Sequence, residues 1–113
     1  GGALQVVRGE LRVAHVTGVG CVEGADELAL GLGPEAVVLG AAAVPTEVAR
    51  RQAAAQGCDI VLFLRCLVTG YRIDAELIDT ASERRLATET VSGPSAQVFE
   101  LIDQLGGRLF PQL

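Results

Sequence analysis

The 113-residue sequence contains no tryptophan, no methionine and no lysine, and only one histidine, one tyrosine and three phenylalanines. So few large aromatic side chains leave little material for the anchors of a binding hot spot. The basic residues are all arginine, and the formal net charge is −5. Neutralising nucleic-acid phosphates needs a clustered cationic excess, so nucleic acid is excluded as an expected partner. The missing lysine reads as a coding bias, and acidity without a charge run reads as an ordinary solvated surface. No apolar run is long enough to span a bilayer, and no secretory leader pattern opens the chain. Direct membrane insertion is therefore not expected, while periplasm, cell envelope and cytoplasm all stay open. Gly1 and Gly2 resemble a tag scar, so residues 1–113 are expected to be one domain taken from a longer bacterial protein.

Cysteine is scarce too, at positions 21, 58 and 66. Eight extended residues would hold Cys58 and Cys66 roughly 26 Å apart on one strand, too far for a disulfide. Free buried thiols are the expectation, and they lean weakly towards a reducing compartment.

What is present is a core. Half of the residues are hydrophobic, and at this length they fill a single domain. They are mostly Ala, Val and Leu, which suit close packing of helices on a sheet. Leu4–Val7 and Leu11–Val16, separated by Arg8-Gly9-Glu10, read either as a hairpin or as one long strand with a glycine kink, and Leu11–Thr17 is the stronger strand. Ala25–Leu32 carries at best a short helix that Gly31 and Gly33 end early. Glu35–Ala41 is consecutively apolar, as in an interior strand. Thr46 to Gln56 reads as a helix with Thr46 as N-cap and Gly57 as a left-handed stop. Val48, Ala49, Gln52, Ala53 and Gln56 share one of its faces. Ile60–Val68, a Thr69-Gly70 turn and Tyr71–Asp79 read as a β-hairpin. In its second strand Ile73, Ala75 and Leu77 alternate with Arg72, Asp74 and Glu76, which makes one face wet. Leu86–Val91 is a third antiparallel strand. After Gly93-Pro94, Val98, Leu101, Ile102, Leu105 and Leu109 form the apolar stripe of a closing helix. The fold class is α/β (α+β): one mixed sheet of about five strands flanked by two or three helices, in the order β-(α)-β-α-β-β-β-α.

Candidate chemistry is sparse. Gly18, Gly20 and Gly24 follow a strand in a dinucleotide-type spacing, but the second strand ends in Gly40-Ala41-Ala42 without the acidic residue that would hold a ribose. His15 sits among valines mid-strand, as a neutral histidine on a half-buried face does. One histidine and three scattered cysteines do not make a structural zinc module. No base–nucleophile pair stands out. Asp74 and Glu76 could serve acid–base chemistry, yet with Arg72 beside them they read first as a solvated ion-paired face. The polar sheet face, with Arg65, Arg72, Asp74, Glu76, Arg84 and Arg85, is the best candidate surface for a partner.

The segment from Val48-Ala49 through Gly57-Cys58-Asp59-Ile60-Val61-Leu62, Gly70-Tyr71-Arg72-Ile73, Glu76-Leu77-Ile78-Asp79-Thr80-Ala81-Ser82 and Leu86 to Phe99 resembles the TolB amino-terminal-domain superfamily. Related small α/β domains accompany bacterial adenylate cyclases, kinases and tetratricopeptide proteins. The shared pattern is a helix ending in Gly-x-Asp, a hydrophobic strand, a Gly-led turn, and an Arg-containing strand closing in Leu-Ile-Asp. An amphipathic helix with Phe near its start follows. Ser82-Glu83 stands where the pattern has Thr-Gly, Ala87 replaces an aromatic, and the first strand lacks a following Pro-Phe. The resemblance implies the fold of that domain, not the activity of a whole TolB.

Two functional expectations follow. The first is a non-enzymatic protein-interaction, sensory or accessory domain of an envelope or signalling protein. It would have no cofactor or metal, and would bind a protein partner or a neighbouring domain, with homo-oligomerisation open. The alternative is a small-ligand or nucleotide-binding domain using the Gly18–Gly24 loop.

Overall fold

A computed structural model describes residues 11–17, 22–33, 35–41, 45–67 and 72–113. The proposed strand Leu4–Val7, the Thr69-Gly70 turn, Tyr71 and the loop residues 18–21 lie outside them.

Strand β1 (Arg12–Thr17) leads into helix α1 (Val22–Leu30), strand β2 (Glu35–Ala41) and helix α2 (Thr46–Ala55). Strands β3 (Ile60–Leu67), β4 (Arg72–Asp79) and β5 (Arg85–Ser92) follow, and helix α3 (Val98–Leu109) closes the chain behind a single 3-10 turn, Ser95–Gln97. The five strands form one mixed sheet in the order β2-β1-β3-β4-β5, with β1 parallel to β2 and β3, and β4 antiparallel to β3 and β5. This is the expected α/β architecture in the expected order.

Topology decides where the helices lie. The first crossover steps from β1 outward to β2, and the second steps back over β1 to β3. Parallel crossovers are right-handed, so reversing direction puts α1 and α2 on opposite faces. Alternate residues of the strands accordingly feed two cores. On one face Val13, Leu62, Leu64, Ile73, Leu77 and Val91 meet α1 and α3 through Leu28, Leu101, Ile102 and Leu105. On the other, Ala14, Val16 and Val61 meet only Ala49 and Ala53 of α2 and Cys58. The α3 stripe is buried from Leu101 to Leu109, and Val98 is half-buried.

Several local expectations are corrected. Helix α1 starts at Val22 rather than Ala25, with Gly24 inside it. It ends at Leu30, with Gly31 in the turn that follows, as expected. Both glycines are contact points: a Cβ on Gly24 would stand 2.7 Å from Ile102 Cδ1, and one on Gly31 would stand 2.9 Å from the Phe110 ring. At Gly24 the missing side chain lets α3 approach, so a glycine that weakens the helix taken alone serves packing there. Among the described residues strand β2 lies at the edge of the sheet rather than inside it, and pairs only with β1. Its apolar run is explained by helices near both faces, which leave Val38 55% exposed. Pro45, not Thr46, is the N-cap of α2, and no side chain caps it. Only Ala49 and Ala53 of the proposed α2 face are buried, and Val48 is exposed. Gly57 does take the left-handed stop, at φ 74°.

Candidate functional site

Among the described residues, the half of the sheet opposite α1 and α3 that α2 leaves uncovered is formed by β3, β4 and β5. Alternation dictates its chemistry. Because Arg65 pairs with Asp74 and Phe63 with Glu76 across β3–β4, and Thr90 with Asp74 and Thr88 with Glu76 across β4–β5, these side chains share one face. All of them but Thr90 line a groove of about 370 Å³ with Arg85, bounded by Thr46 at the start of α2.

Both carboxylates of the groove are paired with arginine. Arg72 Nε donates to Asp74 Oδ1 at 3.0 Å, and Thr90 Oγ1 donates to the same oxygen at 2.6 Å. Arg85 Nε lies 3.4 Å from Glu76 Oε2. Of the six candidate residues, Arg65, Asp74, Glu76 and Arg85 line the groove, Arg72 joins through Asp74, and exposed Arg84 sits in the β4–β5 turn and does not line it. In the sequence Thr46 reads only as a helix cap, and Phe63, Thr88 and Thr90 do not stand out as site residues. For the two threonines the signal was there, because pairing of β5 with β4 puts them beside the carboxylates once the register is known.

The hydroxyl of Thr90, foremost, and then the Arg72 guanidinium hold the Asp74 carboxyl below its usual range, against an opposing effect of partial burial. A lowered folded value means stabilisation that is present above the ordinary carboxylate value near 4 and is lost as pH falls through the folded value. Solvent screening keeps that contribution small, since the side chain is 35% exposed. Thr90→Val should raise the Asp74 titration midpoint, followed by carboxyl-carbon NMR. An unmoved midpoint would show that the hydroxyl is not the cause.

The Leu-Ile-Asp-Thr segment of the resemblance is structural in this chain. Buried Asp79 accepts from the Ala81 N–H at 3.1 Å and the Ser82 hydroxyl at 2.6 Å, closing the turn into β5. Thr80 Oγ1 donates to the Cys58 carbonyl at 2.7 Å, tying that turn to the start of β3. Glu83 adopts φ 64° at the position where the pattern has glycine, and its carboxylate meets Arg50 Nη2 at 2.8 Å. Phe99, by contrast, is 59% exposed and takes no packing role.

His15 is fully buried rather than half-buried. Its Nε2 lies 2.6 Å from Asp26 Oδ1 of α1, and its Nδ1 has no hydrogen-bond partner. The Asp26 partner is not legible in the sequence, because nothing local to either residue sets α1 over β1. Cys58 is buried and free, as expected; Cys21 lies outside the described residues. Gly24, the last glycine of the proposed nucleotide loop, is held inside α1 against Ile102. Among the described residues, no helix is long and apolar enough to cross a membrane, and no cluster of His, Cys, Asp or Glu could hold a metal ion.

The architecture defines a small α/β domain with a mixed five-stranded sheet, covered on one face and half-covered on the other. Solved structures share it. The PelC dodecamer from Paraburkholderia phytofirmans aligns with a TM-score of 0.60 at 18% identity, over 88% of this chain and 87% of that one. A dodecameric point variant of the same PelC gives 0.59 at 22% identity, over 96% and 94%. TolB from Acinetobacter baumannii aligns at 0.52 and 14% identity, over 90% of this chain but 27% of its own. The TolB-like fold implied by residues 48–99 is thus the fold of the chain. No protein-family model and no curated protein matches the sequence.

Proposed function

We infer that the chain is a non-enzymatic accessory domain that docks a protein partner, or a neighbouring domain of its own protein, through the polar groove on β3–β5. The observation carrying this reading is the uncovered half of the sheet. It presents matched Arg and carboxylate groups around Phe63 and holds no base–nucleophile arrangement among the described residues. Exposed matched charges favour specificity and encounter more than tight affinity. The fold neighbours fit an assembly role: TolB carries this fold within a longer chain, and PelC is described as a dodecamer.

The test is site-specific photo-crosslinking in cells of the source bacterium, with the reactive residue at Thr88 or Arg65 and, as a control on the opposite side, at exposed Gln104 of α3. Discrete adducts are expected from the groove positions and not from Gln104. Their absence from Thr88 and Arg65, or equal labelling from Gln104, would refute groove docking.

A further inference from the structure

The groove on β3–β5 holds a guanidinium that its own carboxylates do not claim. Asp74 is bonded to Arg72 and Thr90, and Glu76 faces Arg85. Arg65 lines the same groove, is exposed, and makes no ion pair or side-chain hydrogen bond among the described residues. It stands opposite Asp74 in the β3–β4 ladder. Yet among the influences that lower the Asp74 carboxyl, led by the Thr90 hydroxyl, the Arg65 charge is the weakest. The two are register partners without being in contact. A chain of formal charge −5 thus carries a groove with Arg65, Arg72 and Arg85 set against only Asp74 and Glu76.

The α2 wall adds no opposing charge. The helix begins there at Thr46, and no side chain caps its first N–H groups, so their partial positive charge is not offset. Glu47, the acidic residue of that turn, does not line the groove and lies 3.9 Å from Arg51.

Spacing adds a second requirement. Phe63, half-buried, precedes Arg65 by two residues on β3 and shares its face. Two residues of strand span about 7 Å. An extended chain laid on this face repeats at the same interval. An acidic residue and an apolar one two positions away would therefore meet Arg65 and Phe63 together.

We propose that the groove receives an extended acidic segment of a partner protein, with a carboxylate on Arg65 and an apolar side chain on Phe63. The proposal rests on groove docking and adds the chemistry of the partner. Arginine holds a carboxylate through two parallel N–H···O bonds. A cationic segment would have to draw Asp74 and Glu76 away from Arg72 and Arg85, and a wholly apolar one would bury Arg65 unpaired.

NMR titration of nitrogen-labelled protein with the capped peptides Ser-Glu-Ser-Leu-Ser and Ser-Gln-Ser-Leu-Ser tests it. The Glu peptide should shift the Arg65 Nε–H and the Phe63 and Thr88 amides. It should bind roughly fivefold tighter than the Gln peptide, as an exposed charged pair allows. That preference should vanish in Arg65→Gln and persist in Arg84→Gln, which changes an exposed arginine outside the groove. Equal affinity for the two peptides, a preference that survives Arg65→Gln, or one lost equally in Arg84→Gln would overturn the proposal. So would inorganic phosphate that shifts Arg65 more strongly than the Glu peptide at equal concentration, since phosphate would then be the ligand. A Thr88 adduct in cells alongside any of these results keeps groove docking and removes only the acidic segment.

Discussion

Gly33→Ala should be the most damaging single-methyl change in the chain. A Cβ at Gly33 would stand 1.5 Å from the Leu11 carbonyl oxygen and 2.6 Å from its carbonyl carbon. Both are main-chain atoms of the segment entering β1, so no rotamer change relieves the overlap. Either β1 or the approach to β2 must shift, and with it the parallel pairing of Arg12 with Glu35 and Val13 with Ala36. Losing register there should cost more than about 3 kcal/mol, a large part of the stability of a domain this size. Two other glycines serve as controls. Gly107, inside α3 with nothing near its Cβ position, should gain about 0.5–1 kcal/mol on change to Ala. Gly57 at φ 74° has equal space but should lose about 1 kcal/mol, through backbone strain alone. Urea denaturation of the three variants gives the ranking. A Gly33→Ala protein within 1 kcal/mol of the parent would show that the close approach is not a constraint.

Leu105→Ala should be the next largest effect. Leu105 is fully buried at the centre of the α3 stripe, in the core shared with Leu62, Leu77 and Leu28. Truncating it removes the transfer free energy of the side chain and leaves a cavity between helix and sheet, together about 2–5 kcal/mol. The melting temperature should fall by roughly 10 °C or more. Phe99→Ala, on the exposed side of the same helix, should change it little. If the two variants melted alike, the helix would not be seated on the sheet through this stripe.

The contrast between α3 and α1 shows what the sequence could and could not reveal. The α3 stripe and the β4 alternation are written in hydrophobic period, which survives whatever the rest of the chain does. Gly57 and the strand boundaries of β2 were equally legible, because turn chemistry is local. Helix α1 is half-hidden: its stop at Gly31 is legible, but Gly24 weakens a helix taken alone, and only the arrival of Ile102 turns it into an advantage. The edge position of β2 was hidden for a similar reason, since an apolar strand reads the same whether a strand or only helices lie beside it. The groove was legible as a wet face through Arg72, Asp74 and Glu76. Its other wall was not, because Thr88 and Thr90 join it only through the β4–β5 register.

The layer under α2 has a dynamic consequence. Two alanines hold this helix on the sheet, with Arg50 adding bonds to the Thr80 carbonyl and to Glu83. Little apolar area is lost if it lifts, so α2 is the part of the molecule able to detach while the sheet and α3 stay folded. Such an excursion bares Ala14, Val16 and Val61 and widens the polar groove at its Thr46 wall, which makes the breathing of one thin helix a means of reshaping that groove.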